Sequence, residues 1–289
     1  MMDYMDYWLA DDKNLIVGEG PLWDNRRGCL FTLDFRGKEL RRIDHASEKT
    51  ESMFLDFDPG CIALTEDGRI IAASRTDIRL VKPGESSELL CGDIDFRGLR
   101  FNDGKVGPDG RFYLGSKGEP GSAAFYCLDY DLRVHLLFDG VTVSNGLAWS
   151  SDGKHMFYCD SALKTVDVFD FDSASGSLSS RQTVFRLDGF ADDVVLDGMT
   201  IDENDHLWIA VWNAGCLLLL DPQRGRFELF PMPVSKVTCP TFGGPDNDEL
   251  YVTSAAYMTD LAKWPEAGNT FGYKFGVRGH APFRFKMMK

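Results

Sequence analysis

A chain of 289 residues with 44% hydrophobic and 26% charged side chains has a globular composition, long for one ordinary domain but within the range of one β-barrel or propeller. A formal charge of −14 excludes the basic surface that nucleic-acid binding needs, and no apolar run reaches the roughly 18 residues that would span a membrane. The acidic start, Met1–Asp6, lacks the basic and apolar regions of a secretory signal, so the expectation is cytoplasmic. The seven cysteines form no close CxxC pair; Cys61, Cys127, Cys159 and Cys216 sit among apolar strand residues and read as small buried hydrophobes of a reducing compartment.

In chain order, paired β-rich runs flank six turns rich in Gly, Asp and Asn: residues 21–34, 62–74, 105–116, 147–161, 199–212 and 241–255. Further hairpin signals lie between them, as in CLLLLDPQRGRFELF, and no convincing helical period appears. The turns fall at Arg26, Asp67, Asp109, Asp152, Asn204 and Asp246, spaced 41, 42, 43, 52 and 42 residues apart. A repeat of this length with about four strands per unit predicts one all-β domain over 1–289, a six-bladed β-propeller of four-stranded antiparallel blades around a central channel. The 52-residue gap marks insertions in Ser173–Ser180 and Gly189–Val195, and closure is expected from Tyr4–Ala10 pairing near Phe283–Lys286.

Seven residues before each turn stand Glu19, Gly60, Asn102, Asn145, Asp197 and Cys239. Four of these six carry side-chain oxygens, and equivalent blade positions converge in a propeller, so the four define a candidate site. Each precedes or nearly precedes a glycine, which also fits a plain turn. Two carboxylates and two amides are hard oxygen donors, suited to calcium, magnesium or manganese, with zinc still open. None of the five histidines falls in this register; His45, His155 and His206 read as exposed.

The segments VGEGPLWD (17–24), RFNDGKVGPDGRFYLGS (100–116), VSNGLAWSSDGKHMFYCDS (143–161), LDGMTIDENDHLWIAVW (196–212) and KVTCPTFGGPDNDELYVTSA (236–255) resemble the gluconolactonase family that includes senescence marker protein (regucalcin). The resemblance runs from about Gly18 to Phe283 and implies a six-bladed propeller with one divalent metal in its channel. It implies Glu19, Asn145 and Asp197 as metal ligands, Asp197 also as general base, and Arg100 and Asn102 toward the substrate, with Glu119 as a pocket residue. The chain departs from the family at Leu196, where a proline is usual, in the short stretch Ser116–Pro120 with its Lys117, and over Met1–Asp11.

The function the resemblance implies is hydrolysis of a sugar lactone to its aldonic acid. The metal would polarise the lactone carbonyl, and Asp197 would take the proton of the attacking water. The alternatives are an aryl-ester or phosphotriester hydrolase on the same metal, and a non-catalytic calcium-binding propeller.

Overall fold

The computed structural model describes residues 5–82, 85–92 and 94–288. Among these there is no α-helix, and hence none long and apolar enough to cross a membrane. The strands form six four-stranded antiparallel blades, and the fold class is the six-bladed β-propeller that the repeat predicts.

The blades divide between two compact units of three. The first unit holds residues up to Phe54 together with Leu187–Ala281. One of its blades runs β2 (Gly18–Asp24), β3 (Cys29–Asp34), β4 (Glu39–Asp44), β5 (Thr50–Phe54). A second runs β18 (Val195–Ile201), β19 (Leu207–Trp212), β20 (Cys216–Asp221), β21 (Arg226–Pro231). The third runs β22 (Val237–Gly243), β23 (Glu249–Ser254), β24 (Thr270–Tyr273), with β1 (Tyr7–Asp11) as its outermost strand. The second unit, Leu55–Arg186 with the residues from Pro282 on, contains β6 (Cys61–Leu64) to β9 (Glu88–Cys91) through β7 (Ile70–Ala73) and β8 (Ile78–Val81). It also contains β10 (Arg100–Val106), β11 (Phe112–Lys117), β12 (Ala123–Leu128), β13 (Val134–Val141), and β14 (Ser144–Trp149), β15 (His155–Asp160), β16 (Thr165–Asp172), β17 (Ser177–Arg186).

The chain is closed by its N-terminal strand, but the partner differs from expectation. Tyr7 to Leu9 pair with Tyr273 to Phe271, whereas Phe285 bridges Thr65 instead. Tyr4 lies outside the described residues. The aromatic, strand-like character of both C-terminal segments made them interchangeable by composition; the long connection after β23 places the earlier one in the blade.

Blade packing explains the apolar pattern. Middle strands such as β3, β12 and β19 are buried on both faces and read as continuous hydrophobic runs, while outer strands β5 and β21 are largely exposed. Each unit has its own cores. Trp208, Phe242, Phe271 and Tyr273 gather in the first, and Phe101, Phe112, Tyr126 and Phe285 in the second. Truncating one such aromatic to Ala costs about 3–5 kcal/mol. The tryptophans pack as blade residues: Trp149 and Trp208 are buried, Trp212 and Trp264 half-buried. Cys61, Cys127, Cys159 and Cys216 are buried, and all seven cysteines are unbridged. His155 is exposed as expected, but His45 and His206 are half-buried, His45 lying 3.0 Å from Glu249.

In five blades the first turn is closed by its own acid, among them Asp67, which accepts from the Arg69 amide. Asp24 accepts from the amides of Arg26 and Arg27, Asp109 from Arg111, Asp152 from Lys154, and Asp202 from Asn204 and His206. These acids therefore set the repeat.

Candidate active site

In five blades the ladder between the innermost strand and its neighbour slips by one residue near the register position. Glu19 pairs with Leu33 but Leu22 with Phe31; Phe101 pairs with Ser116 but Gly104 with Leu114. Asn145 pairs with Cys159 but Leu147 with Tyr158, Leu196 with Val211 but Met199 with Ile209, and Val237 with Ser254 but Cys239 with Thr253. Each is a one-residue β-bulge, a device that re-aims a side chain without ending the strand. Strand β6, which starts just after Gly60, pairs in regular register.

The glycines beside these positions lie in strands rather than turns. Gly20 needs its positive φ of 52°, which an L side chain rarely adopts. A Cβ on Gly198 would lie 2.4 Å from Cys239 Sγ, so Asp197 can sit on β18 only if a glycine lets β22 approach. The close approach between neighbouring inner strands, invisible locally, selects glycine there.

In the first unit, Glu19 on β2 and Asp197 on β18 stand on the inner strands that flank β22. Asp197 is buried; Glu19 is half-buried and its Oε2 accepts from the Gly20 amide at 3.3 Å. The segment leading into Glu19 is clamped by Asp34 at the end of β3, whose carboxylate accepts from the amides of Ile16, Val17 and Gly37 at 2.8, 3.2 and 2.8 Å. Thr238 on β22 adds a bond to the Gly18 carbonyl at 2.7 Å.

In the second unit, two predicted residues meet. Asn102 Nδ2 donates to Asn145 Oδ1 at 3.2 Å and to the Ser144 carbonyl at 2.8 Å. Asn145 Nδ2 donates to Ser161 Oγ at 2.8 Å, which fixes the amide with its oxygen turned toward Asn102. Asp160, at the end of β15, accepts from the amides of Thr142 and Val143 ahead of Asn145, repeating the Asp34 clamp. Arg100 opens β10 opposite Lys117, and its guanidinium donates to the Phe101 carbonyl at 2.9 Å. Glu119 is exposed in the connection after β11, where its carbonyl accepts from the Ser122 amide and hydroxyl.

Three contributors escape the spacing argument. Asp34 and Asp160 hold partners 17 or 18 residues away in sequence; the signal that could have found them is the acid ending the second strand, in CLFTLD and KHMFYCD. The third is Asp103, half-buried beside Asn102. Burial pushes its carboxyl up to about 6 against the pull of Lys105 and Arg100.

Comparison with known proteins places this arrangement. The SMP-30/Gluconolactonase/LRE-like region matches residues 17–256. Regucalcin of Danio rerio is 37% identical over 280 residues, covering 93% of this chain and 94% of the relative, and that of Homo sapiens is 35% identical over 288 residues, covering 94% and 96%. Among solved structures, a luciferin-regenerating enzyme superposes with a TM-score of 0.87 at 27% identity over 98% of this chain and 100% of its own. A gluconolactonase from Xanthomonas campestris shares the fold at a TM-score of 0.74 and 18% identity, covering 95% and 89%. The bulged, oxygen-bearing inner strands lie within the matched region, and the chain belongs to the SMP-30/gluconolactonase family.

Proposed function

We propose that this chain hydrolyses a sugar lactone to the corresponding aldonic acid, using one divalent metal ion. The observation that carries the reading is the donor set on the bulged inner strands: carboxylates Glu19 and Asp197 in one unit, and the oriented amides Asn102 and Asn145 in the other. Family membership supports it, since the family description names gluconolactonase.

The residues fit a metal. Glu19, Asp197 and Asn145 would hold it through hard oxygens, and two carboxylates balance a divalent charge. Because Asn145 Nδ2 is committed to Ser161, its oxygen is the atom left to coordinate. Calcium, magnesium and manganese suit this set, and zinc accepts oxygen ligands as well. A cation held there supplies Lewis-acid polarisation of the lactone carbonyl.

The chain's own residues do the rest. Asp197 takes a proton from water through a carboxylate oxygen, as that water adds to the carbonyl carbon. The ester C–O bond then breaks, and the ring oxygen leaves as a hydroxyl carrying the proton returned by Asp197. Arg100 donates to substrate hydroxyls, a task suited to its planar fork. Both Asn102 N–H groups are spent on Ser144 and Asn145, so its oxygen accepts from a substrate hydroxyl. Glu119 accepts from hydroxyls farther along the sugar.

The test is a panel of aldonolactones, paraoxon and phenyl acetate, assayed after dialysis against a chelator and after adding calcium, magnesium, manganese or zinc. Lactone turnover that vanishes with the chelator and returns with a cation is expected. Full activity in metal-free protein overturns the mechanism. Preferential turnover of paraoxon or phenyl acetate selects the ester hydrolase, and tight cation binding without turnover selects a binding protein.

A further inference from the structure

The connection between the second and third strands of a blade is short in five blades: residues 35–38, 74–77, 118–122, 161–164 and 213–215. In the blade of β22 to β24 it runs over residues 255–269. Connections this long without strands or helices are uncommon in compact domains and usually functional. This one leaves the end of β23 that pairs with the start of β22, the same end at which β2 and β18 present Glu19 and Asp197.

Its first turn is fastened to all three blades of the first unit. The amides of Ala256 and Tyr257 donate to the carbonyls of Leu15 and Ile16, just ahead of Glu19. Ala255 donates to the Lys236 carbonyl, and Arg36, just past β3, lies over the Tyr257 ring at 3.9 Å. Lys236 bridges to Trp212 at the end of β19, which pairs with Val195 two residues before Asp197.

Lys236 is the unusual member. It is only 8% exposed, and its ammonium donates to the carbonyls of Tyr257 and Met258 at 2.7 and 2.6 Å and to Thr259 Oγ1 at 3.1 Å. It also lies 5.6 Å from the Trp212 ring centre. These acceptors are neutral, and burial pulls the ammonium below its ordinary lysine value. A buried cation given wholly to one turn specifies the shape of that turn. Met258, held at a φ of 50° and 80% exposed, is what the turn presents.

We propose that the 255–260 turn is the specificity element of this site, with Lys236 as its positioning residue and Met258 as its contact with the carbon chain of the sugar. The inference rests on the lactonase reading and names the part of the substrate that this unit selects. An apolar side chain beside a substrate's terminal carbon discriminates one carbon unit by about 10- to 200-fold at most.

The test compares hexono- and pentonolactones in Lys236→Met, Lys236→Arg and Met258→Ala, with hydrogen exchange of the 255–260 amides as a second readout. Lys236→Met is expected to raise KM for the preferred lactone about tenfold with kcat within about twofold, and Lys236→Arg to recover part of that loss. Met258→Ala, an exposed change that leaves folding intact, should shrink the hexono/pentono ratio of kcat/KM about fivefold or more. Slower exchange of these amides in added aldonate with calcium or magnesium is expected in the wild type. An unchanged ratio in both Lys236→Met and Met258→Ala overturns the proposal, as does a uniform drop in kcat with KM untouched. Wild-type protein that hydrolyses no lactone overturns the lactonase reading instead; exchange in aldonate and cation then decides the turn, and unaltered protection overturns it.

Discussion

In the unit containing Leu187–Ala281 the bulged inner strands carry Glu19 and Asp197, whereas in the unit of Leu55–Arg186 they carry Asn102 and Asn145. One blade in each unit shares an acid that ends the second strand and clamps the lead-in: Asp34 for Glu19, Asp160 for Asn145. The difference lies in how a side chain can be aimed. An amide has N–H groups of its own: Asn102 spends its two on Ser144 and Asn145, and Asn145 donates to Ser161. A carboxylate only accepts, and beside the two acids the backbone itself is specialised: Gly20 has a positive φ and Gly198 lets Cys239 approach closely. One unit therefore contributes charge on a shaped backbone, the other orientation through a hydrogen-bond chain.

The largest effect expected from this contrast is at Asp197. Asp197→Asn keeps the shape and removes the charge and the basic oxygen, so kcat/KM for lactone should fall by about a thousandfold or more with the fold intact by circular dichroism. A loss below tenfold would break the assignment of charge to the first unit. The amide side should respond less. Asn145→Ala deletes one neutral oxygen of the proposed ligand set and is expected to cost about 10- to 100-fold in cation affinity, read by calorimetric titration. Equal losses at Asn145 and Asp197 would erase the distinction between the units.

Much of the architecture was legible because it is local. Five blades begin with an acid-closed hairpin, so Asp24, Asp67, Asp109, Asp152 and Asp202 write most of the period into the chain. The register position was legible for the same reason, being a fixed step from those turns. What stayed hidden depends on contacts between distant segments. The dipeptide Asp197-Gly198 looks like a turn, and only the approach of Cys239 shows why it lies in a strand. The clamps of Asp34 and Asp160 act across 17 or 18 residues, beyond any local pattern. The strand Thr270–Tyr273 is obscured by the long connection before it, so composition points to a closing partner for β1 too far along the chain.

The smallest predicted effect sharpens the contrast from the second unit. Asp103 is the carboxylate nearest in sequence to the amide pair, and burial raises its carboxyl from 3.8 to about 6. In the unfolded chain the group ionises near its ordinary value, while in the folded chain it stays protonated until about pH 6. A raised acid favours the folded state below the unfolded value, and that advantage is lost as pH climbs from about 4 through about 6. Asp103→Asn, which cannot ionise, should therefore match the wild type near pH 4 and exceed it near pH 7. The gain is on the order of 1–2 kcal/mol once partial solvent exposure is allowed for. Urea unfolding of chelator-treated protein at the two pH values measures it. A gap of the same size at both would mean that Asp103 is ionised in the folded chain, stabilised by Arg100 and Lys105, and the second unit would then carry a fixed negative charge of its own.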